Sequence, residues 1–232
     1  MINIQKESLK IKTGEQLARF LISKPIDKHP FFLSKKKNNI GYVAVILENG
    51  RELDIPKLLA TLISMTTNYD FRAKLVPQLY DELGSGNLDM IHVKLIGKLL
   101  NALKPYSKVA EKDKQKLNDA YQELNLVFQD LFNPKEFYYG LGVAISNELI
   151  VQPIFEYFKE IIFNSDKNFL KEDLIWLTAH DELESGHIED TIELANLIEP
   201  QSEGLKIAAK TALELYNHFW EFFDVVNEIE LV

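Results

Sequence analysis

Apolar residues recur at helical spacing along most of the chain, and side chains able to accept the free N–H groups of a first turn precede several of these runs. Thr13 stands before "EQLARFLIS" and Asp54 before "IPKLLATLISM", whose Pro56 falls in the first turn, where a missing donor does no harm. Asp70 opens a helix through "FRAKLVPQLYDEL", which Pro77 should kink or shorten. "GSGN" at 84–87 interrupts the pattern, and "LDMIHVKLIGKLLNAL" resumes it as far as Pro105. Further helices are expected over about 112–132, 135–163, up to 198, and from 205 onward. The segment "IGYVAVILENG" (40–50) reads instead as a strand, being rich in β-branched residues and ending in Asn-Gly. With 10 Gly and 8 Pro in 232 residues, and no repeat or linker, the expectation is one all-α domain over 1–232, a bundle with short connections.

Composition narrows the chemistry. The formal net charge of −9 argues against a nucleic-acid partner, which requires a basic surface to displace counterions. Lysines 35–37 form the one concentrated basic run and read as a solvated loop. Cysteine is absent, which excludes disulfides, thiolate metal sites and cysteine nucleophiles. No secretory h-region opens the chain and no apolar run approaches the roughly 18 residues of a membrane span. A cytoplasmic protein without a membrane partner is the expectation.

Three places carry candidate chemistry. In "TAHDELESGH", His180, Glu184 and His187 stand at i, i+4 and i+7, within roughly 60° of one another on a helix. They form either an exposed polar face or part of a metal site, and seven residues rise roughly 10 Å, which suits two neighbouring ions. In "LYDELGSGNLDMIH", Glu82 ends one apolar-patterned helix and His92 enters the next among apolar neighbours. That imidazole needs a partner, either a metal or a backbone carbonyl. Glu148 lies mid-helix in "LGVAISNELIVQPIFEYF", where a carboxylate requires a cation, a hydrogen-bond network or a path to the surface. Carboxylates and imidazoles without thiolates favour iron, manganese or zinc, and facing helices of a bundle bring such ligands together at dinuclear centres. His29 and His218 read as packed or surface residues, and the Gly-x-Gly of "YYGLGVAI" is not a dinucleotide fingerprint.

The order "DELGSG…H", a mid-helix Glu, then H-x3-E-x2-H followed by an acidic stretch resembles the heme-oxygenase-like diiron oxidases and oxygenases. The resemblance runs from about residue 29 to the last helix. It implies a seven-helix fold like that of heme oxygenase but without heme. It also implies two Fe(II) ions per chain reacting with dioxygen, and a small amine, amino acid or carboxylate that is N-oxygenated or cleaved at a carbon–carbon bond. The implied ligands are Glu82, His92, Glu148, His180, Glu184 and His187, with Glu184 where the family usually has Asp. Some N-oxygenating members add a glutamate from an earlier helix; Glu52 and Asp54 lie in that region, and neither aligns securely. Arg72 is a candidate counter-ion for a substrate carboxylate, Trp176 a candidate pocket wall, and Gln152 a candidate partner for a ligand. Glycines beside Glu82 would let a ligand-bearing helix unwind without metal. A homodimer fits such a bundle. The other readings are a non-catalytic helical binding protein with a degenerate metal site, and a cofactorless or thiaminase-like enzyme, disfavoured by the absence of cysteine.

Overall fold

Two of the three helix openers named above, Thr13 and Asp54, begin helices where the sequence puts them. Thr13 accepts the Gln16 N–H at 3.1 Å to open α2 (Gly14–Ile22), and Asp54 accepts the Lys57 N–H at 3.1 Å to open α5 (Ile55–Met65). For α6 (Tyr69–Glu82) the cap is Asn68, two residues before the expected Asp70. This helix runs unbroken through Pro77, contrary to the expected shortening. Pro77 and Ala73, whose carbonyl loses its donor, are both exposed, so water can serve the freed group.

This computed structural model describes the backbone of all residues except 52, 53 and 132; the side chains of 49–51 and 180–187 also lie outside the described residues. The remaining helices are α1 (Ile4–Ser8), α3 (Pro30–Leu33), α4 (Ile40–Arg51), α7 (His92–Leu103), α8 (Lys114–Leu131), α9 (Phe137–Phe163), α10 (Ile175–Asn196) and α11 (Glu203–Glu228). The expected all-α class is the class observed. None of the helices, among the described residues, is long and apolar enough to cross a membrane.

The strand expected over 40–50 is helix α4 instead. Every residue from Tyr42 to Leu47 is at most 6% exposed. A helix buried on all sides has no polar face, so its sequence shows no 3.6-residue period and its β-branched content misleads. Side chains from elsewhere then bind its neighbourhood: Tyr121 Oη donates to the Val45 carbonyl, and Tyr42 Oη donates to the Ile229 carbonyl at 2.9 Å. Nor is the basic run simply solvated. Lys36 Nζ donates to the carbonyls of Asn227 (2.6 Å) and Ile229 (2.8 Å) at the end of α11, where a cation also meets the negative end of the helix dipole.

The long pair α9 and α11 forms the spine of the bundle. A Cβ on Gly142 would lie 2.2 Å from the Ala208 carbonyl oxygen, so only glycine allows this approach. Beside it, Ser146 Oγ donates to the Ala212 carbonyl at 2.8 Å and Thr211 Oγ1 to the Tyr139 carbonyl at 3.1 Å. Residues 139, 142 and 146 thus commit one face of α9 to α11. Two residues further on, at about 200° of rotation, Glu148 faces the other way, toward α5, α6 and α7.

Candidate metal centre

Glu82 is the last residue of α6 and His92 the first of α7, and a glycine turn folds one against the other. The Ser85 N–H bonds the Tyr80 carbonyl at 2.9 Å and the Gly84 N–H bonds that of Asp81 at 2.8 Å, the two closing bonds of a Schellman motif. Gly84, Ser85 and Gly86 all have positive φ, at 86°, 51° and 87°. A Cβ on Gly84 would stand 2.4 Å from the Asn87 carbonyl oxygen, so sterics as well as φ require glycine there. The result is a contact of 3.2 Å between His92 Nδ1 and Glu82 Oε2, with the imidazole side chain 8% and the carboxylate 23% exposed.

The pair opens onto a small cleft. Its polar lining is Gln78, Asp81 and Glu82 from α6, His92 from α7, and Asn147 and Glu148 from α9. Ile55, Leu58 and Leu59 of α5, with Ala144, complete it. Burial is the largest influence on the His92 imidazole and opposes its charging. The Glu82 hydrogen bond and the negative charges of Glu82, Asp81 and Glu148 together outweigh that effect, and the pKa lies above its ordinary value. Glu148 is half-buried and close enough to His92 to contribute to this shift, so it has not simply reached out to solvent.

Glu82, His92 and Glu148 of the six sequence-predicted residues are therefore brought to one cleft. His180, Glu184 and His187 lie on α10, and their side chains lie outside the described residues. That helix packs against α6, α7 and α9, the three elements that supply the polar lining. Among the described residues no three His, Asp or Glu side chains form a group able to hold a metal ion. Asp54 is used as the cap of α5, and Glu52 lies outside the described residues.

The three candidate substrate contacts do not line the cleft among the described residues. Arg72 Nε donates to the Ile63 carbonyl at 3.2 Å, and its guanidinium lies 5.7 Å from the ring centroid of Tyr69. Trp176 is 5% exposed and packs on Phe155, with ring centroids 4.6 Å apart. Gln152 is half-buried one turn beyond Glu148. Asp81, Gln78 and Asn147 were not singled out from the sequence. Asn147 left a signal there, as a second polar residue beside Glu148 in an apolar helix; Gln78, in a polar stretch, left none.

The residues present suit a hard or borderline cation. Three carboxylates and an imidazole share the cleft, and Asn147 Oδ1 is a buried acceptor with no hydrogen-bond partner among the described residues. A family model described as "Iron-containing redox enzyme" matches residues 51–219. This chain belongs to that family. Iron and redox chemistry follow from membership, as does the all-α, heme-oxygenase-like fold. No curated protein matches the chain. In this iron-containing redox enzyme the matched region takes in α5 to α10 whole, hence every residue of the described cleft.

Proposed function

We propose that the protein is a non-heme, diiron, dioxygen-dependent oxidase or oxygenase acting on a small amine, amino acid or carboxylate. Glu82, His92 and Glu148 would hold iron with His180, Glu184 and His187 of α10, six side chains whose types suit two Fe(II) ions. The observation that carries this reading is the convergence of Glu82, His92 and Glu148 from three helices on one cleft in a member of an iron-containing family. Bound iron would supply the reaction with dioxygen.

The chain's own residues do the rest. Glu82 holds the His92 ring by the 3.2 Å contact to Nδ1, and an imidazolium there must lose one proton before a ring nitrogen can bind a cation. Leu58 and Leu59, at 1% and 3% exposed, with Ile55 make the α5 side of the cleft dry. A low-dielectric wall strengthens every charge interaction inside and limits water.

Anaerobic titration with ferrous iron, followed by mixing with oxygenated buffer, tests the reading. Two irons per chain and a transient visible absorption, both lost in Glu148→Ala, are expected. Binding of less than one iron per chain with no absorption change would sink it and return the non-catalytic binding protein to first place.

A further inference from the structure

Among the described residues, one whole face of α6 is apolar and open to solvent. Tyr69, Val76, Tyr80 and Leu83 are 78%, 48%, 54% and 46% exposed, and Ala73 and Pro77 between them are exposed as well. At about 100° per residue these six positions fall within roughly 120° of arc. Phe71 and Leu75 on the opposite side are buried, and Glu82 there lines the cleft. The turn that follows adds Leu88, 71% exposed. Single exposed apolar side chains are ordinary, whereas a continuous row of them along a whole helix marks a contact surface.

Area, charge and shape select the occupant. Taking about 200 Å² for a whole aromatic side chain, the face and Leu88 offer roughly 600 Å² of apolar surface, against the ~800 Å² that each partner contributes to a stable complex. A lipid surface fits poorly, because an interfacial helix flanks its apolar face with Lys and Arg for anionic headgroups, and this chain carries a net charge of −9. The flanking cations of α6 are engaged within the chain: Lys74 pairs with Asp190 (3.1 Å) and Glu193, and Arg72 Nε donates to the Ile63 carbonyl. None of the six residues is charged, so a strongly charged partner has nothing on the face to pair with. The face is, however, complementary to itself. Ala73 and Tyr80 stand at equal distances on either side of a point between Val76 and Pro77. A twofold axis through that point runs two copies of α6 antiparallel and sets the Tyr80 ring of each over the small Ala73 of the other. Tyr69 of each then meets Leu83 of the other.

We propose that this face is the interface of a twofold-symmetric homodimer, in which α6 pairs antiparallel with α6 of a second copy about Val76 and Pro77. The family resemblance leaves the surface and register of a dimer open, and the α6 face supplies both. Each copy then backs the helix whose inner side presents Gln78 and Glu82 to the other's cleft.

Sedimentation equilibrium of the full chain from about 1 to about 100 µM tests it. Two chains per particle are expected for the native protein. Val76→Glu and Tyr80→Glu each place like charges on both sides of the interface, and should raise the dissociation constant at least about tenfold with an unchanged far-UV spectrum. Leu126→Glu, at an exposed residue of α8, should leave the dimer intact. Register is read by cross-linking, because the chain has no cysteine. Under mild oxidant Val76→Cys, beside the axis, should form an intermolecular disulfide. Tyr69→Cys should not, since its two copies would stand roughly 22 Å apart along the helices, far beyond disulfide reach. A monomer at the highest concentration overturns the proposal, and its co-sedimentation with phosphatidylglycerol vesicles would assign the face to lipid instead. A dimer that survives both glutamate substitutions overturns it too, as does Tyr69→Cys cross-linking as readily as Val76→Cys.

Discussion

His92 Nδ1 and Glu82 Oε2 lie 3.2 Å apart across a turn whose three central residues all have positive φ. The contact joins the end of one helix to the start of the next, and both groups face a cleft that also holds Glu148. A pair made this way is set by backbone conformation rather than by flexible side chains reaching across a surface. The glycines expected to ease unwinding are the residues that fix this geometry.

A pH dependence follows from that pair. The His92 pKa is raised in the folded protein, so its contribution to stability is full below the unfolded value of about 6.5 and is lost as pH rises through the folded value. If His92 binds iron as proposed, the metal competes with a proton on the ring, so apparent ferrous affinity should climb with pH until the ring is neutral. Glu82→Gln removes the partner charge and should lower the His92 pKa, read from the imidazole resonances in an NMR titration. An unchanged pKa would show that Glu82 does not govern the ring.

The turn itself can be probed at its two glycines. Gly84→Ala puts a Cβ 2.4 Å from the Asn87 carbonyl at a φ of 86°, and should cost about 1–3 kcal/mol in urea unfolding. Gly86→Ala has the same φ problem, at 87°, but its nearest neighbour is the Tyr80 hydroxyl at 3.0 Å, a side chain able to move. It should cost about 1 kcal/mol. Equal losses at the two sites would mean that backbone strain, not the close approach, sets the cost.

Away from the cleft, His29 is 0% exposed, and its ring caps α3. Nδ1 accepts the Phe31 N–H at 3.1 Å, which leaves the proton on Nε2 to donate to Asp224 Oδ1 at 3.0 Å. Burial, the largest influence, lowers its pKa despite the opposing hydrogen bond to Asp224. The folded state therefore binds this proton less readily than the unfolded one. Stability associated with His29 is present above about pH 6.5 and is lost as pH falls through the folded pKa. His29→Asn keeps a cap acceptor, should cost about 2 kcal/mol through lost packing against Trp220 and Phe223, and should flatten the stability profile below pH 6.5. A profile of unchanged slope would assign the acid sensitivity to other groups.

The sequence by itself determined the starts of α2 and α5, because Thr13 and Asp54 satisfy backbone donors locally and need no distant partner. It also determined the donor types for a metal, and the Gly84–Gly86 turn was visible as a break. It misplaced α4, because a segment buried on all sides presents no periodicity to read. His180, Glu184 and His187 were legible as a spacing, and Glu82, His92 and Glu148 as polar residues among apolar ones, yet the meeting of Glu82 and His92 with Glu148 depends on α9 being turned by its contact with α11 at Gly142 and Ser146. Trp176 and Arg72 looked equally suited to a pocket, and only packing sent one into an aromatic cluster and the other onto Tyr69. Gln78 and Asn147 show the limit most plainly. Whether an amide is satisfied is a property of everything around it, and no local stretch of sequence carries that information.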